Sequence, residues 1–84
     1  MYTIPPLTPK LKSKVIKHNL TKKYAKAISL LAANPQHPGL NVELLEPKNL
    51  GYYSFRLDHK YRGIYIIHSD NITIQIVGIT VHYH

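Results

Sequence analysis

The chain has 84 residues and no cysteine, and its 11 Lys and Arg against 4 Asp and Glu give a formal charge of +7. Neither half of so short a chain could bury an interior of its own, so one domain over residues 1–84 is expected. At 44% hydrophobic it is no disordered basic tail, and without cysteine it has no disulfide scaffold, thiolate zinc site or cysteine nucleophile. No stretch approaches the ~20 apolar residues that span a bilayer, and the first nine residues lack a basic start followed by an apolar run. A cytoplasmic protein without a membrane partner is therefore expected.

Residues 1–4 could add an edge strand, cut short by Pro5 and Pro6. Thr8-Pro9 reads as an N-cap with proline in the first turn, and Leu11, Val15 and Ile16 recur at helical spacing to about Asn19. After Leu20-Thr21, the stripe Tyr24, Ala27, Ile28, Leu31 predicts a second helix with that stripe in the core, ending near Asn34 because Pro35 cannot continue it. Asn34-Pro35-Gln36-His37-Pro38-Gly39 is a turn-rich connection, and residues 40–48 read as a loop with a short extended piece.

From Tyr52 the period becomes two. Tyr53, Phe55 and Leu57 alternate with Tyr52, Ser54, Arg56 and Asp58; residues 61–67 are β-branched and aromatic; and Ser69-Asp70-Asn71 turns the chain into a last strand over residues 72–77. Three closely linked strands form an antiparallel meander. A helical hairpin and a meander bury their apolar faces only against each other, so the expected fold is a two-layer α+β sandwich with one sheet face left for chemistry.

Seven lysines (Lys10, Lys12, Lys14, Lys17, Lys22, Lys23, Lys26) precede residue 27, where there is no acid at all. This basic half suits a phosphate backbone or an acidic partner, or else is a solvated helix face. The polar residues on or beside the sheet are Glu43, Glu46, Arg56, Arg62, His82, Tyr83 and His84. Arg56 and Arg62 flank Asp58-His59-Lys60, which puts them on neighbouring strands within reach of one anion. Two guanidiniums, a carboxylate and an imidazole form a set able to cleave a phosphodiester. The plainer alternative pairs Arg56 with Asp58 or a nearby acid on a wet sheet face. His82-x-His84 has the spacing of a metal pair, but no acid or cysteine lies near it, so no metal or other cofactor is expected. His18, His37, His59 and His68 fall at loops and element ends and read as surface residues.

The run from Tyr53-Ser54-Phe55-Arg56 through Tyr61-Arg62-Gly63-Ile64-Tyr65 resembles the central hairpin of the RelE/ParE superfamily of bacterial toxins. The Asn34-Pro35-Gln36-His37-Pro38-Gly39-Leu40 phrase is similar to that superfamily's helix-to-sheet connection, and His82-Tyr83 resembles the terminal His-Tyr of its YoeB-like branch. The resemblance covers residues 8–84. It implies a metal-independent mRNA endoribonuclease that acts on the ribosome and is neutralised by a cognate antitoxin. Glu43, eight residues before Gly51, matches the general base more readily than Glu46 does. Arg62 matches the transition-state clamp, His82 the general acid, and Tyr83 the residue that orients or stacks on a base. Arg56 matches a phosphate-contacting position, Lys60 is grouped with it, and Ser54 stands where the RelE branch has lysine. Aligning His82 requires about two extra residues in the last hairpin, which leaves Thr80 and His84 as alternatives. Two non-catalytic readings also stay open: a ParE-like gyrase inhibitor, and a basic module that only docks on RNA or the ribosome.

Overall fold

The computed structural model describes residues 1–81, and the expected roles of His82, Tyr83 and His84 lie outside the described residues. Helix α1 (Pro9–Lys17) starts where Thr8 Oγ1 accepts from the Leu11 N–H at 3.4 Å, with Pro9 supplying its fixed φ to the first turn. It stops at Asn19, which takes a left-handed φ of 55°, and the Leu20 N–H turns back to the Val15 carbonyl at 2.8 Å. Leu20 is thereby driven into the core. Helix α2 (Thr21–Ala33) buries Ala27 and Leu31, with Tyr24 and Ile28 half-buried beside them, as the stripe predicts. Asn34 closes it, Pro35 prevents its continuation, and a 3-10 turn at Pro38–Leu40 drops Leu40 into the interior.

Four antiparallel strands follow in the order β1 (Glu43–Leu44), β2 (Tyr53–Arg56), β3 (Tyr61–Ile67), β4 (Ile74–Val81). The fold is thus the expected α+β sandwich, with the short extended piece of the 40–48 loop joining the meander as β1. Phe55, Tyr65, Ile74, Ile76 and Ile79 meet Val15, Leu20, Ala27, Leu31 and Leu40 in one core. Phe55 faces Gly63 across β2 and β3 so closely that a Cβ on Gly63 would lie 2.3 Å from the ring. Asp58 fastens the β2–β3 connection, accepting from the Lys60 and Tyr61 N–H groups at 2.8 and 2.7 Å and from Lys23 Nζ at 2.8 Å.

Three expectations are corrected. The last strand begins at Ile74 and runs to Val81, not from 72 to 77. A bulge opposite Ile64 and Tyr65 shifts the buried set from Ile74 and Ile76 to Ile79, and this break in alternation reads as a strand end in the sequence. Residues 1–4 form a single parallel bridge, Thr3 to Thr73, tied also by the Tyr2 N–H to the Ala32 carbonyl, rather than an edge strand. His18 is half-buried rather than on the surface, hydrogen-bonded to the Tyr61 hydroxyl at 3.1 Å with the rings 5.1 Å apart, while the exposed bond from the Gly39 N–H to His37 Nδ1 at 3.0 Å caps the 3-10 turn. At the open edge of β4, Lys14 on α1 donates to the Ile79 carbonyl at 2.7 Å.

Candidate functional site

Strand alternation puts one set of side chains on the sheet face turned away from the core. Register makes Glu43 the partner of Ser54 and Arg56 the partner of Arg62, and Thr80 stands opposite Arg62 on β4. Glu43, Ser54, Arg62, Ile64 and Thr80 line a pocket of about 240 Å³ on this face.

Arg62 is the centre of the pocket. Only 4% of it is exposed, and its guanidinium is held from two sides: Nε donates to Ser54 Oγ at 3.0 Å and Nη2 donates to the Asn41 carbonyl. Asn41 presents that carbonyl from a left-handed turn, φ 46°, directly after the buried Leu40. Nη1 has no partner among the described residues. Burial pulls the Arg62 pKa down, the Glu43 carboxylate works in the opposite direction, and Arg56 adds to the lowering. A guanidinium stays protonated through such a shift. The result is a fixed, partly desolvated cation in the pocket lining, a carboxylate close enough to act on it, and a second arginine beside it. Such an arrangement holds an anion and stabilises growing negative charge on it.

The other expected residues divide. Glu43 is exposed at the pocket mouth, while Glu46 is exposed in the loop beyond β1 and does not line the pocket. Arg56 is exposed and pairs with no acid among the described residues; the expected pairing with Asp58 or a nearby acid is not formed there, because Asp58 takes Lys23 instead. Lys60 lies in the connection with its ammonium 5.5 Å from the Tyr61 ring centre, away from the pocket lining. Among the described residues, no three His, Cys, Asp or Glu side chains gather as metal ligands. Sequence reasoning missed Ser54 and Asn41 as the groups that seat Arg62. The available signals were a small hydroxyl one alternation from Arg56 and an asparagine closing a Pro-Gly-Leu turn.

This fold, a sheet with a helical hairpin on one face and an arginine-centred pocket on the other, is shared by toxins of known structure. Among solved structures, a YoeB/ParE toxin from Agrobacterium tumefaciens superposes with a TM-score of 0.73 at 16% identity, covering 99% of this chain and 100% of that one. The heterotetrameric YoeB-YefM toxin-antitoxin complex from Staphylococcus aureus gives 0.65 at 22% identity over 100% and 95%, and the YoeB dimer from the same organism 0.62 at 22% over 99% and 94%. No protein-family model and no curated protein matches the sequence. The likeness is one of fold, carried at low identity along the whole chain.

Proposed function

We propose that this chain is the toxin of a toxin-antitoxin pair, and that it cuts mRNA on the ribosome in the cytoplasm by metal-independent transesterification. The observation that carries this reading is the seating of Arg62: a buried guanidinium, fixed by Ser54 and Asn41, in the lining of a pocket that Glu43 also lines. Glu43 takes the proton of a 2′-hydroxyl, and that oxygen attacks the adjacent phosphorus. Arg62, with Arg56 beside it, stabilises the charge on the nonbridging oxygens. The bond from phosphorus to the 5′-oxygen breaks, leaving a 2′,3′-cyclic phosphate on one fragment. The leaving oxygen takes a proton from His82, and Tyr83 stacks on a base. The chemistry needs a 2′-hydroxyl and is therefore confined to RNA. Lys60 is assigned to the backbone beyond the pocket rather than to the reacting phosphate.

The partner that neutralises it is a cognate antitoxin, as the YefM-bound YoeB of the solved complex suggests by its fold. An acidic segment ordering on contact suits a surface of charge +7. The test is translation in the presence of wild type or Arg62→Ala, with message ends mapped. Cleavage by wild type that falls by about 10²-fold or more in the variant supports the mechanism. Equal cleavage by both removes Arg62 from it. Growth arrest with intact message and failed DNA supercoiling replaces the ribonuclease reading with the gyrase one.

A further inference from the structure

Building on the RNA-cutting reading, we infer that a second groove, over the edge of β2, carries the single-stranded RNA backbone onward from the reaction pocket. Strand β1 pairs with Tyr53 and Ser54, so among the described residues the edge of β2 beyond them has no strand beside it. Helix α2 and the Pro38–Leu40 turn close that side instead, leaving a groove of about 250 Å³. Lys23, Lys26 and Arg56 border it, and Ala27, Leu30 and Leu40 lie beneath.

Three features select its occupant. The first is continuity: Arg56 lines this groove while its direct cross-strand partner, Arg62, lines the reaction pocket, and side chains so paired begin about 5 Å apart. The second is charge. Lys23 is paired with Asp58 at 2.8 Å, but Lys26 and Arg56 have no acidic partner among the described residues, so anionic groups meet two uncompensated cations. The third is the apolar base between the cations, which suits the ribose and base carried between successive phosphates. A chain of phosphates leaving Arg62 thus passes Arg56 and reaches Lys26 along a groove whose lining holds no carboxylate. The substrate is a strand several nucleotides long, not an isolated dinucleotide.

Binding of uncleavable 2′-O-methyl RNAs, about 4 and about 12 nucleotides long, measured by fluorescence anisotropy over a range of salt, tests this. Lys26→Ala, an exposed position, is expected to weaken the longer RNA several-fold and to reduce its salt slope by about 0.7, the loss of one single-strand phosphate contact. The short RNA should bind as before. Arg56→Ala should weaken both lengths, and Lys10→Ala on α1 should change neither. Unchanged binding of the long RNA by Lys26→Ala overturns the inference, as does an equal loss from Lys10→Ala, which would reduce the effect to general charge. A wild-type chain that binds neither RNA also overturns it, as does a Lys26→Ala variant that loses only an acidic protein partner. Because these RNAs cannot be cut, failure of the groove leaves the Arg62→Ala cleavage result standing, and failure of cleavage leaves the binding result standing.

Discussion

Arg62 Nε donates to Ser54 Oγ at 3.0 Å on a diagonal across β2 and β3, and both residues are almost wholly buried. A guanidinium fixed this way needs no reorganisation to meet an anion, because its direction is set before the ligand arrives. Ser54→Ala leaves a buried charged donor without its acceptor. We expect a loss of about 1–3 kcal/mol in urea unfolding and a fall in cleavage toward about 10²-fold as the guanidinium shifts. A variant with unchanged stability and rate would show that Asn41 alone seats the arginine.

Glu43→Gln removes the proposed base while keeping the side chain's size and hydrogen-bonding reach at the exposed pocket mouth. Cleavage should drop by about 10²- to 10⁴-fold, with the unfolding midpoint and the affinity for uncleavable RNA nearly unchanged. A full-rate variant would move the base role to another group.

Gly63→Ala places a methyl where the Phe55 ring already lies, 2.3 Å from two ring atoms. Overpacking of this kind destabilises by about 1–3 kcal/mol. Combining it with Phe55→Leu should return part of that loss, which a double-mutant cycle in urea reads directly. Independent, additive effects would count against the contact.

Acid should loosen the β2–β3 connection through Asp58. Burial works to raise the Asp58 pKa, but the hydrogen bond from Lys23, those from the Tyr61 and Lys60 N–H groups, and the Lys23 charge outweigh it and take it from 3.8 down to about 2. A folded-state pKa below the unfolded value means the carboxylate binds its proton more readily when unfolded. Its stabilisation is therefore complete above about 3.8 and is lost as pH falls toward about 2. Asp58→Asn keeps an acceptor for the turn but no charge, so its unfolding midpoint should depend less steeply on pH in that window. Identical slopes would assign the acid sensitivity elsewhere, with Asp70, also lowered by its bonds to Thr73 and Ile72, the next group to test.

Local signals made most of the fold legible. Thr8-Pro9, the Tyr24 to Leu31 stripe, Pro35 and the alternation from Tyr53 are short-range patterns, and each element formed where its pattern stood. The end of β4 was hidden because a bulge changes which residues face inward partway along the strand. In the candidate site, Glu43, Arg56 and Arg62 were legible as residue types on adjoining elements. The environment of Arg62 was not, because it depends on a backbone carbonyl 21 residues away and on a register that periodicity cannot give.

Lys14 adds a consequence of a different kind. Its ammonium occupies the outward carbonyl of Ile79 on the last strand of the sheet. An exposed border strand is a template for pairing with another polypeptide, and a lysine laid across it withdraws an acceptor from any incoming chain. One of the seven amino-terminal cations thus guards the sheet's flank against stray strand addition, while its neighbours remain available to the field that attracts polyanions.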